Sequence, residues 1–143
     1  MRYVLSAVVV GAAALAVAWT AEARVSFKLV ANPSVPVSSL TRAAASKAFL
    51  KKTEKWPDGT AVVPIDQARG SSTRESFCRE VHDRSTAMID AFWQKQVYSG
   101  RGTPPLTKGS DREVIEFVRS VPGAIGYVSA NADTSGVKEI PLE

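Results

Sequence analysis

A single short segment concentrates the side chains best able to hold a ligand. Gln67-Ala68-Arg69-Gly70-Ser71-Ser72-Thr73-Arg74 brings three hydroxyls, two guanidinium groups and one amide together after a short apolar run. A loop that opens a helix leaves backbone N–H groups without intrahelical acceptors, and these favour an anion. Hydroxyls add donors, and Arg69 and Arg74 add charge suited to phosphate or sulfate. The same Ser and Thr residues also serve as ordinary helix caps, and both readings are open at this point.

Elsewhere a catalytic set is hard to assemble. His82 is the only histidine and Cys78 the only cysteine. His82, between Val81 and Asp83, reads as a solvated helix residue. Cys78, beside Phe77, reads as a small buried hydrophobe. One histidine and one cysteine give no metal-ligand set, and no nucleophile elbow is present. The acidic residues look like solvated helix faces, neighbouring Arg or Lys at short spacing. A non-enzymatic protein with no cofactor and no metal is the expectation.

The formal net charge of +4 is mildly basic and dispersed. Lys51, Lys52 and Lys55 form the tightest basic group, with Glu54 among them. No Arg/Lys run is interleaved with aromatics, so nucleic acid is not an expected partner. A modest positive field suits small anions.

The elements that must position the hydroxyl segment follow from periodicity. Residues 1–23 read as a signal peptide: Arg2 at the start, an apolar run from Tyr3 to Trp19, and the small-residue exit Ala21-Glu22-Ala23. The expected product is an exported protein, periplasmic or secreted, with no membrane span after cleavage. Residues 24–143 are expected to form one domain.

Val25 to Ala31 alternates as a first strand. Thr41 caps a helix running to about Lys52, with Ala45, Ala48 and Phe49 on one side. Trp56-Pro57-Asp58-Gly59 is a turn. Ala61 to Ile65 is a short strand, and Pro64 places it at an edge or a strand end. A helix with Phe77, Cys78 and Val81 inward follows the hydroxyl loop. Ser85 caps another, with Met88, Ile89, Phe92, Trp93 and Val97 at helical spacing. Ser99 to Pro105 is a loop. Ser110 and Glu113 form a capping box for a helix whose inner face is Val114, Phe117, Val118 and Val121. Pro122-Gly123 stops it. Ala124 to Ser129 and Val137 to Leu142 are closing strands. The fold class is α/β, with a small, mainly parallel sheet flanked by helices.

Several motifs, in this order, resemble the phosphate-type substrate-binding proteins of ABC transporters, within the type II periplasmic binding protein fold. They are Ser39-Leu40-Thr41 with Ala48-Phe49-Leu50, Trp56-Pro57-Asp58-Gly59, Val62-Val63-Pro64-Ile65, the hydroxyl loop, Phe92-Trp93, Ser99-Gly100-Arg101-Gly102, and Val121-Pro122-Gly123-Ala124-Ile125-Gly126-Tyr127. The resemblance implies one lobe of a two-lobed architecture, with an anion held at the loop. In that family the loop carries Ser-Gly-Thr with an arginine four residues before the serine. Here Ser71-Ser72-Thr73 stands at the triplet and Gln67 at the arginine position. The ligand-binding set implied is Gln67, Arg69, Ser71, Ser72, Thr73 and Arg74. The function implied is recognition of phosphate or a similar oxyanion, with a transporter or envelope protein, or a second copy, as partner. The alternative is a protein-interaction module that keeps the fold without a small-molecule ligand.

Overall fold

The computed structural model describes residues 27–143. The expected signal peptide, its cleavage site and the start of the first strand at Val25 lie outside the described residues.

The elements run β1 (Phe27–Ala31), α1 (Arg42–Phe49), β2 (Val63–Gln67), α2 (Ser72–Phe77), a π-helical turn (Cys78–His82), α3 (Thr86–Tyr98), β3 (Leu106–Lys108), α4 (Asp111–Ser120), β4 (Ala124–Ser129) and β5 (Lys138–Ile140). They form one mixed sheet in the order β3-β2-β4-β1-β5. β2 pairs in parallel with both β3 and β4, and β1 is antiparallel to its neighbours β4 and β5. Only β1 runs against the common direction, so the sheet is mainly parallel, as expected.

Strand alternation sends successive side chains to opposite faces. Leu29, Ala31, Ile125 and Tyr127 face one apolar cluster, which also holds Phe49 of α1, Phe77 of α2, and Ile89 and Trp93 of α3. Val30, Ile65, Ala124 and Val128 face the other, against Val114, Ile115 and Val118 of α4. Helices therefore cover both faces. The route from β2 to β3 uses α2 and α3 on one face, whereas the route from β3 to β4 uses α4 on the other. The order reverses at β2, so the switch point of the sheet lies at the carboxyl ends of β2 and β4, the place where ligands of open α/β sheets bind.

Local chemistry accounts for the element ends. Thr41, Ser71, Ser85 and Ser110 each accept a backbone N–H three residues on. Glu113 reaches back to the N–H of Gly109 at 2.8 Å rather than to that of Ser110. Gly123 has φ +80°, and a Cβ there would lie 2.1 Å from the Ala61 carbonyl oxygen. Its own carbonyl accepts from Trp56 Nε1 at 2.9 Å and from Val63 N at 3.1 Å, which ties the Trp56 turn to the start of β4.

Pro64 sits in a strand flanked on both sides, at its end. Val63 N faces β4, so the N–H that proline lacks would face β3, and pairing with β3 starts only at Ile65. Gly126 is tight for a reason other than a nearby backbone: a Cβ would meet Val114 Cγ1 at 2.8 Å.

Some expectations are corrected. The first helix ends at Phe49 rather than near Lys52, and Lys51 is left-handed with φ 57°. β2 begins and ends two residues later than Ala61–Ile65 and so takes Gln67 out of the loop. β3 was not expected. On α3, Met88 and Val97 stand 55% and 53% exposed, so the buried stripe is only Ile89 and Trp93, with Phe92 half-buried.

Candidate functional site

The site at this switch point is built on the last residues of β2. Gln67 ends the strand with its side chain buried. Its Nε2 donates to Asp111 Oδ1 at 3.1 Å and to the Tyr127 carbonyl at 3.0 Å. Its Oε1 accepts from Ser71 Oγ at 2.5 Å. Ser71 in turn caps α2 by accepting from Arg74 N at 3.2 Å. Asp111, in the first turn of α4, also accepts from the backbone N–H of Ser129 at 3.2 Å and from its hydroxyl. Residues from β2, α2, α4 and β4 are thus knitted into one polar network at the carboxyl end of the sheet.

A second network lies beside it. Arg74 is buried, and its Nη2 donates to Asp90 Oδ1 at 2.7 Å. Its Nε lies 3.5 Å from Asp66 Oδ1 and makes no hydrogen bond. Burial opposes the charge of this guanidinium, but the Asp90 hydrogen bond and the two carboxylates outweigh it and raise the pKa. Asp66 also accepts from the Tyr127 hydroxyl. Burial first, and then the Asp66 charge, push the Tyr127 phenol well above its ordinary range. Arg69 approaches the same Asp90 at 3.5 Å, but its side chain is 78% exposed.

The candidate residues are therefore brought to one place in different states. Gln67 and Ser71 hydrogen-bond each other. Thr73 is buried and Ser72 exposed, so the adjacent hydroxyls diverge. Arg74 is matched by carboxylates, and Arg69 faces solvent. Ser72 and Thr73, as first-turn residues, keep N–H groups without intrahelical acceptors.

Sequence reasoning missed Asp66, Asp90, Asp111 and Tyr127. The two aspartates around Arg74 are not on solvated faces: their side chains are 14% and 27% exposed. Asp66 gave no signal, because the expected strand stops at Ile65 and only the observed β2 runs on through Gln67.

Beside the second network lies a cavity of about 880 Å³, between α3 and the β2–β3 edge, reached by Asp66, Arg69, Arg74 and Asp90. No cluster of metal-ligating side chains occurs among the described residues. His82 is not a solvated helix residue. It is half-buried, its Nδ1 lies 2.8 Å from Ser46 Oγ, and its ring meets Phe77 edge-on at 5.3 Å. Cys78 is buried, as expected. No described helix is long and apolar enough to cross a membrane.

No protein-family model matches the chain, and no curated protein matches it. Solved structures do. An ABC-type phosphate transport receptor from Vibrio cholerae superposes with a TM-score of 0.64 at 19% identity, over 81% of this chain and 45% of that one. A protein from Clostridium perfringens, assigned as a phosphate ABC transporter substrate-binding protein and holding bound phosphate, gives 0.63 at 18% identity, over 81% and 44%. PstS from Borrelia burgdorferi gives 0.57 at 14% identity, over 82% and 47%. The chain thus spans about half the length of the structures it matches. Its fold is that of one lobe of the phosphate-type substrate-binding proteins of ABC transporters.

Proposed function

We propose that this protein is an exported, non-enzymatic solute-binding protein that recognises phosphate or a similar oxyanion at the carboxyl end of β2. The observation that carries the reading is the coincidence of three things: the fold of a phosphate-binding lobe, a strand–loop–helix crevice at the switch point of its sheet, and Arg69 with the Ser71–Thr73 segment at that crevice. Gln67, Ser71 and Asp111 hold the loop in shape. The N–H groups of Ser72 and Thr73, the Ser72 hydroxyl and the exposed Arg69 supply the donors.

The charge balance sets the strength. Asp66 and Asp90 neutralise Arg74 in place, so the anion meets little net positive potential. A single lobe also leaves it partly hydrated and screened. Binding by the isolated chain is weak, with a dissociation constant on the order of 0.1 mM or higher. A transporter or envelope protein, or a second copy of the chain, would close over the crevice and tighten it.

An NMR titration with inorganic phosphate at low ionic strength tests this. Amide shifts concentrated in residues 67–75 are expected. No shift at tens of millimolar, or shifts only elsewhere, would overturn it.

A further inference from the structure

Four large apolar side chains stand open among the described residues: Met88, Val97, Tyr98 and Leu106. Three of them, Val97, Tyr98 and Leu106, line the cavity described above, which also reaches Arg69 and Arg74. They are 53%, 95% and 63% exposed. Val97 and Tyr98 end α3, and Leu106 opens β3. Pro104 and Pro105 lie between, and Trp93, one turn back along α3, joins the same wall. Scattered exposed apolar residues need no explanation, but apolar side chains gathered on one concave surface mark a binding site.

The cavity has two unlike ends. One is apolar. The other holds Asp66, Asp90, Arg69 and Arg74, whose formal charges cancel. A free tetrahedral oxyanion would use only the charged end, and would fill a small part of about 880 Å³. Cavities of roughly 300–1,000 Å³ suit organic ligands that bury most of their surface. Of the charged groups, Arg69 is the one able to turn to a ligand. Its contact with Asp90 is 3.5 Å long and its side chain is 78% exposed, so little is lost when that contact is exchanged. Arg74, by contrast, is fixed between two carboxylates, and its unpartnered Nε is itself buried.

We infer that the crevice takes an organic phosphomonoester, with its phosphate at the charged end beside Arg69 and its apolar body across Trp93, Val97, Tyr98 and Leu106. This rests on the oxyanion reading above, with which the cavity shares Arg69 but not Ser72 or Thr73, and adds the apolar half of the ligand. Burial of an aromatic body supplies binding energy that a charge-balanced site does not give to a bare anion.

Isothermal titration of the full chain with inorganic phosphate, phenyl phosphate and phenol separates the possibilities. Phenyl phosphate is expected to bind at least about tenfold more tightly than phosphate. In the double variant Tyr98→Ser/Leu106→Ser, both sites being exposed, the fold is kept, as a thermal melt would verify, and the ratio falls toward one. Equal affinities for phenyl phosphate and phosphate would overturn this inference and leave the oxyanion reading standing. An unchanged ratio in the double variant would also overturn it. Phenol binding as tightly as phenyl phosphate would overturn the phosphate head of this inference, while the inorganic phosphate arm decides the oxyanion reading by itself. Absence of binding by all three compounds would overturn both.

Discussion

Asp90 of α3 holds Arg74 of α2 through a 2.7 Å hydrogen bond between Oδ1 and Nη2, with the arginine side chain only 6% exposed. Asp66 faces the same guanidinium from β2 at 3.5 Å. Two helices and the sheet are thereby pinned around one buried cation, beside the loop proposed to bind an anion. The pairing is structural: it commits the charge of Arg74 to the fold, whereas Arg69 is exposed and only loosely held by Asp90.

Arg74→Ala is therefore expected to act on stability. It strands Asp66 and Asp90 in a poorly solvated place, and breaking such a pair by removing one partner costs about 2–4 kcal/mol. Arg69→Ala touches an exposed contact and is expected to cost less than about 1 kcal/mol. Urea denaturation of both variants checks the contrast. Similar midpoints would show that the buried pairing has been misjudged.

Cys78 is expected to be inert in the native protein. It is 1% exposed, and burial above all, with the Asp66 charge next, pushes its thiol up to about 12. The thiolate is the reactive form, so an aromatic disulfide reagent at pH 8 should label it only on unfolding. Labelling within minutes under native conditions would contradict the packing of the π-helical turn against α1 and α2, with Cys78 in the apolar cluster.

The sequence carried the fold further than the site, for reasons visible in particular residues. Ser110, the spacing of Val114 and Val118, and Gly123 delimit α4 because caps, period and a left-handed stop are all local. Leu106–Lys108 gave no such signal: a three-residue strand after two prolines is too short to show a period. Met88 and Val97 have helical spacing with Ile89 and Trp93, yet α3 presents a narrower face to the core than its apolar content suggests. The hydroxyl segment was legible as a strand–loop–helix junction. What it touches was not. Asp66, Asp90 and Asp111 come from three different elements, and only the folded chain sets them around Arg74 and Gln67.

Gly123 and Gly100 offer a controlled comparison. Both have positive φ, at +80° and +67°. Around Gly100 nothing would meet a new Cβ within 4 Å, whereas at Gly123 it would strike the Ala61 carbonyl oxygen at 2.1 Å. Gly100→Ala should cost only backbone strain, about 1 kcal/mol. Gly123→Ala must also push apart the β4 entry and the Trp56 turn, so a loss of about 3 kcal/mol or more is expected. Thermal melts of the two variants would show the gap, and equal melting temperatures would disprove this account of the turn.

His82 should make the fold sensitive to acid. The imidazole is packed edge-on to Phe77 and paired with Ser46 Oγ at 2.8 Å. Burial, and then the cations Arg84, Arg74 and Lys52, lower its pKa from the usual 6.5 to about 4. The unfolded chain then binds a proton between pH 6.5 and 4 that the folded chain refuses, so stability must fall as pH falls. The contribution is complete above about pH 6.5, declines through the window and is gone below about pH 4. Its size is about 3 kcal/mol. Glu80 sits on the same turn but pairs with Arg42 at 3.4 Å, so it does not offset the cations facing His82. The check is urea denaturation of wild type and His82→Gln at intervals from pH 7.5 to 4. The wild-type curve should lose the stated amount relative to the variant, whose uncharged amide can still hydrogen-bond Ser46. Parallel curves across the window would rule out His82 as the group responsible.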